Sequence, residues 1–133
     1  MRKFAARTKV SAGQSRNEIE ATLTKYGADT FGYANKPGEV SIGFRLKGRM
    51  VRFTINVPDQ TAQPQAHRQR WRALLLCIKA KLETVESGIE EFDEAFMAHI
   101  VLPNGATMAE YALPQLREAY QTGKQPPLLT FNG

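Results

Sequence analysis

The sequence predicts an α+β fold: a three-stranded antiparallel meander with helices packed on one face, in the order helix–strand–strand–strand–helix, plus a helical C-terminal part. Two observations carry this. The first is the stretch EVSIGFRLKGRMVRFTINV (Glu39 to Val57). Val40, Ile42, Phe44 and Leu46 alternate along its first half, and Val51, Phe53, Ile55 and Val57 along its second. Period-two alternation marks a half-buried strand, and Lys47-Gly48 between the halves suits a two-residue type I′ turn. That turn pairs Leu46 with Arg49, Phe44 with Val51, Ile42 with Phe53 and Val40 with Ile55. A slip by one residue would expose every apolar side chain. The second observation is Trp71, Leu74, Leu75, Ile78, Leu82 and Val85, whose helical spacing forms a broad apolar stripe able to cover the sheet.

The remaining elements follow from local chemistry. Residues 1–14 are basic and aperiodic, and read as a flexible arm ahead of a single domain over residues 15–122. Ser15-Arg16-Asn17-Glu18 has the spacing of a capping box, followed by a short helix bearing Ile19, Leu23 and Tyr26, with Gly27 as its C-cap. Asp29 to Ala34 reads as a strand with Phe31 and Tyr33 in the core. A four-residue loop, Asn35 to Gly38, would pair Tyr33 with Val40 and Phe31 with Ile42. The opposite sheet face then carries the small residues Gly32, Ala34, Ser41 and Gly43. Pro64 fits the first turn of the long helix, and Cys77, amid that helix's apolar run, reads as inert packing. Ile89 to Ala98 reads as a shorter acidic helix with Ile89, Phe92, Phe96 and Met97 inward. His99 to Leu102 is a strand candidate. Thr107 and Glu110 form a capping box for a helix through about Tyr120 that Pro114 would kink or restart. Gly123 closes it, and residues 123–133 are a tail.

Among the 133 residues the formal charge is +5, but its distribution is uneven. Residues 1–82 carry +11 and the rest −6. Two readings are open: a polyanion partner for the front portion, or two parts that neutralise each other within the fold or across a dimer. No apolar run is long enough to span a bilayer. A single cysteine makes no internal disulfide, which fits a reducing compartment.

Catalytic and metal chemistry find little purchase. His67 and His99 are far apart in sequence and Cys77 stands alone, so no zinc-ligand spacing occurs and no cofactor is expected. No nucleotide-binding glycine motif is present. The constellation with chemical meaning is cationic: Arg45, Lys47, Arg49 and Arg52 on the hairpin face and tip, and Arg68, Arg70 and Arg72 at one helix start. Such cations neutralise phosphates, while the lack of exposed aromatics argues for backbone contact over base readout.

The segment RWRALLLCIKAKLETVESGIEEFDEAFMAHIVLPNG, with its lead-in KYGADTFGY and closing PPLL, resembles a family of small phage and prophage proteins without assigned activity. The resemblance spans residues 15–129. It implies a bacterial cytoplasmic setting and transfers no catalytic residues. The helix–three strands–helix order is also similar to that of double-stranded-RNA-binding domains. That similarity is topological, because Gln63 to Arg68 lacks their Lys-rich helix start. The expectation is therefore a non-enzymatic phage accessory protein that binds nucleic acid, DNA in first place, through the basic hairpin face and helix start. The alternative is a protein-binding module that uses the small-residue face to inhibit a host defence or replication factor. Neither involves a membrane, and either is compatible with a homo-oligomer.

Overall fold

The computed structural model describes residues 10–125. Its elements are α1 (Ala12–Lys25), β1 (Thr30–Lys36), β2 (Glu39–Leu46), β3 (Arg49–Asn56), α2 (Pro64–Glu86), α3 (Phe92–Phe96), a 3-10 turn (Met97–His99) and α4 (Met108–Thr122). The strands form one antiparallel sheet in the order β1-β2-β3. The predicted α+β architecture is the observed one.

The central hairpin has the register its alternation demands: Leu46 opposite Arg49, Phe44 opposite Val51, Ile42 opposite Phe53 and Val40 opposite Ile55. Lys47 and Gly48 both take positive φ, 51° and 75°, as a type I′ turn requires. The hairpin before it is tighter than expected. Lys36 pairs with Glu39, so Pro37 and Gly38 alone make the turn, and Gly38 has φ 78°. Proline followed by a positive-φ glycine suits a type II turn. Tyr33 therefore faces Ile42 and Phe31 faces Phe44, two residues along from the predicted pairing. An even shift leaves both rings on the apolar face. Neither ring is a core residue, however: Phe31 is half-buried at the margin of the cluster and Tyr33 is exposed, its ring met from α1 by the Arg16 guanidinium at 5.2 Å and its hydroxyl donating to the Arg16 carbonyl at 3.4 Å.

The helices cover the rest of that face. Ile19 and Leu23 from α1, the Trp71–Leu82 stripe of α2, and Phe92 and Phe96 of α3 join the sheet side chains in one buried cluster. Phe96 meets Phe44 and Phe53 edge-on, at ring-centroid distances of 6.4 and 6.5 Å. Each such side chain contributes about 1.5–3 kcal/mol on leaving water.

Several expectations are corrected. The first helix starts at Ala12, inside the stretch assigned to the arm, and Ser11 caps it by accepting from the Gln14 amide at 3.0 Å. Residues 1–9 of that arm lie outside the described residues. Ser15 is not a cap. It sits four residues before Ile19 and eight before Leu23, on the face turned to the core, and is fully buried. Cys77 is exposed, since a step of 100° per residue carries it well away from the stripe's centre. The predicted helix over Ile89–Ala98 shortens to α3, capped reciprocally by Glu91 and Glu94. Gly88, at φ 79°, turns the chain and leaves Ile89 78% exposed and Met97 49% exposed. Residues 99–102 form no strand, only isolated bridges from Ile100 to Val51 and from Val101 to Thr107. The capping box of Thr107 and Glu110 is present, α4 runs unbroken past Pro114, and Gly123 closes it at φ 75°. Of the tail expected over 123–133, residues 126–133 lie outside the described residues.

Candidate functional site

The seven cations singled out by sequence do not converge on one surface. Strand alternation places Arg45 and Arg52 on the sheet face opposite the core. Arg49, paired with Leu46, belongs to the core-side face, where α3 packs. Arg68, Arg70 and Arg72 ride on α2, which covers that same core side. A single phosphate backbone therefore cannot lie across all seven.

Most of them also have partners within the chain. Arg45 grips Asp29 with two bonds, Nε to Oδ1 at 2.9 Å and Nη2 to Oδ2 at 3.1 Å. Arg49 holds Asp93 in the same forked way, at 3.1 and 2.9 Å. Arg52 donates to the Gly105 carbonyl at 3.1 Å and to Glu110 at 2.8 Å. Arg72 and Lys79 share Glu18, at 3.1 and 2.7 Å. Among the described residues Arg68 and Arg70 bond neutral groups alone, the Gln65 carboxamide at 2.7 Å and the Asn56 carbonyl at 2.9 Å. Lys47 is exposed at the hairpin tip.

These contacts leave their mark on the acids. The forked bond from Arg45 holds the Asp29 carboxyl below its ordinary range. Glu18 is lowered first by its bond to Lys79 and then by Arg72, against some desolvation. Glu110 is lowered chiefly by the Thr107 amide of the capping box, with Arg52 adding to it. Exposed ion pairs are worth only about 0–1 kcal/mol each, so a competing phosphate could displace them. They nonetheless cancel the field that would steer one. Arg49–Asp93 and Arg52–Glu110 tie the cationic front portion to the acidic remainder, so part of the charge asymmetry is resolved inside the fold.

No family model, no curated protein and no solved structure matches the chain. Among the described residues no group of three His, Cys, Asp or Glu is placed to hold a metal ion. No described helix is long and apolar enough to cross a membrane.

Two other surfaces are more distinctive. One is the sheet face opposite the core. Gly32, Ala34 and Thr54 are exposed there, and a Cβ built on Gly32 would meet nothing within 4 Å. The Ser41 and Thr54 hydroxyls bond to each other at 2.8 Å, which leaves the patch flat, bordered by the Arg45–Asp29 and Arg52–Glu110 ion pairs. It runs out to β1, the outer strand, whose extensive packing among the described residues is against β2. Outer strands are usually guarded by charge, proline, a bulge or a covering element. Here pairing is continuous from Thr30 to Lys36, and the one charged side chain, Lys36, sits at the end, 3.2 Å from Glu39. Tyr33, its hydroxyl pKa pushed up to about 12 mainly by burial, stays neutral. The opposite edge of the sheet is different, because the Val101 amide bonds the Met50 carbonyl at 2.8 Å.

The second surface was not anticipated from the sequence. Between α4, the end of α3 and the 3-10 turn lies a groove of about 910 Å³ lined largely by Met97, Met108, Leu113, Leu116 and alanines. No residue within α4 is buried, and Leu116 and Tyr120 are 52% and 84% exposed. The spacing of these residues was visible in the sequence. Which helix faces find cover was not.

Proposed function

We propose that the chain is a non-enzymatic protein-binding module whose docking element is the outer edge of β1 with the small-residue sheet face beside it. The single observation that carries this reading is that edge: seven residues that, among the described residues, are paired on one side only, without bulge or internal charge, next to a flat patch of Gly32, Ala34, Ser41 and Gly43. An extended segment of a partner can add to such an edge through main-chain hydrogen bonds, with alternate side chains lying over the flat face. The resemblance to phage proteins supplies the setting, a bacterial cytoplasm in which the partner is a host defence or replication factor.

Display of random peptides against the folded chain tests this. Selected peptides should be extended and should raise hydrogen-exchange protection of the β1 amides. Gly32→Arg and Ala34→Arg should abolish their binding without unfolding the chain. Peptides that bind while leaving β1 exchange unchanged would overturn the reading.

A second reading, binding to nucleic acid, keeps one observation in its favour. Among the described residues, Arg68 and Arg70 at the start of α2 and Lys47 at the hairpin tip bond no acidic side chain. Each phosphate contact adds about 0.7–0.9 to the log–log salt slope, so two arginines predict weak, sequence-independent binding with a shallow slope. Titration with single- and double-stranded DNA at about 50 mM salt decides it, and no detectable binding removes this reading.

A further inference from the structure

We infer that the extended segment docking on the β1 edge carries a glutamate that pairs with Arg16, flanked on the same side by apolar residues, one of which packs on Phe31. This rests on the edge-binding reading above and names the chemistry of its partner. The unpaired peptide groups of β1 set the register. The Pro37-Gly38 turn joins Lys36 to Glu39, and a two-residue turn is closed by a hydrogen-bonded pair. Alternation along the ladder then turns the peptide groups of Thr30, Gly32, Ala34 and Lys36 toward β2, and those of Phe31, Tyr33 and Asn35 outward. An added strand bonds to these three. Residues directly across a ladder project on the same face. The segment's side chains opposite Phe31, Tyr33 and Asn35 therefore stand on the core side, where α1 lies.

Two features await them there. Phe31 and Tyr33 meet edge to face with ring centroids 5.1 Å apart, and Tyr33 remains 38% exposed, so the pair offers an apolar shelf beside the strand. Arg16 holds its guanidinium 5.2 Å from the Tyr33 centroid and 5.9 Å from that of Trp71. Ring contacts steady a cation without neutralising it, and its in-plane N–H donors still take an acceptor. Arg45, Arg49, Arg52 and Arg72 each hold an acid of the chain itself. Arg16 forms no ion pair among the described residues. Glu20, one turn further along α1, is exposed and close enough to oppose ionisation of the Tyr33 hydroxyl, yet it leaves Arg16 unpaired. Cross-strand Cβ atoms stand about 4.5–5.5 Å apart, and a glutamate opposite Tyr33 is long enough to reach a cation seated on that ring. Such a charge-assisted bond also fixes register. A slip by one residue would turn the glutamate to the small-residue face.

Three synthetic heptapeptides test this: Thr-Val-Thr-Glu-Thr-Val-Thr and its counterparts with glutamine or lysine at the centre. The pattern reads the same in both directions, so the polarity of the added strand does not matter. In NMR titrations of the native chain all three should shift the Phe31, Tyr33 and Asn35 amides. The glutamate peptide should bind about tenfold more tightly than the glutamine peptide, the lysine peptide should bind weakest, and rising salt should narrow the gap. Arg16→Gln should erase the preference, while Arg16→Lys, which keeps the charge, should retain it. Equal affinity of the three peptides for β1 overturns the inference and leaves the edge-binding reading standing. A glutamate preference that survives Arg16→Gln overturns it in the same way. Shifts confined to residues outside β1, or no shift with any of the three, overturn both.

Discussion

α2 and α4 are both long amphipathic helices, and they meet opposite fates. α2 buries Trp71, Leu74, Leu75, Ile78 and Leu82, whereas α4 buries nothing of its own. The difference lies in position along the chain. α2 follows directly on a hairpin whose greasy face needs a lid, and α1 lies beside it to close the layer. By the time the chain reaches α4, that face has been taken by α1, α2 and α3. An apolar stripe thus states that a helix needs cover, and the order of the elements decides whether its own domain supplies it.

Substitutions sharpen this contrast. On the α2 side, Leu75→Ala should cost about 2–5 kcal/mol and Phe53→Ala about 3–5 kcal/mol in denaturant unfolding, since both leave cavities in a packed cluster. A loss below about 1 kcal/mol at Phe53 would show that the core is not centred on the hairpin. Next come the caps. Thr107→Ala removes the acceptor for the Glu110 amide, 3.1 Å away, and should cost about 1 kcal/mol. Ser15→Ala should be neutral or stabilising, because the Ser15 hydroxyl is buried with no partner among the described residues.

A pH effect of moderate size follows from His99, which stacks on Phe53 at 3.9 Å. Burial, reinforced by Lys81, lowers its pKa below the ordinary value. The unfolded chain then takes up the proton more readily, at about pH 6.5. The contribution of neutral His99 is complete above that pH and is lost as pH falls through it toward the folded value. Urea midpoints should therefore decline between about pH 7.5 and 5.5, and His99→Gln should flatten that decline. The smallest effect belongs to α4: Leu116→Ala should change the unfolding free energy of the monomer by no more than about 0.5 kcal/mol. Cys77→Ser should behave likewise, and native Cys77 should react readily with a thiol reagent.

What the sequence revealed follows the same division. The β2–β3 register was legible because its determinants, the alternation and the Lys47-Gly48 turn, lie side by side in the chain. The β1 pairing came out two residues displaced, since Pro37-Gly38 can close a turn alone, yet its face was right because parity survives an even shift. Cys77 misled because neighbours in sequence are not neighbours on a helix. The arginines were legible as charges but not as sites. Arg52 and Glu110 are 58 residues apart, and no local pattern reports that they meet. The β1 edge was readable as small residues, but its openness depends on where every other element lies.

The two-residue turns carry a consequence for how the chain assembles in time. Every strand pairing in the sheet is between sequence neighbours, and hairpins of this kind form in about 1–10 μs. The contacts of Phe96 and Val101 with the sheet close a long loop instead, and loop closure carries an entropic cost. The hairpin is then a natural nucleus, with the segment after α2 arriving late. In chevron kinetics Ile42→Val should mainly slow folding, whereas Phe96→Leu should mainly speed unfolding. The stretch that latches last is also the first to let go, so proteolysis under native conditions should begin beyond Ser87, with the strands still paired.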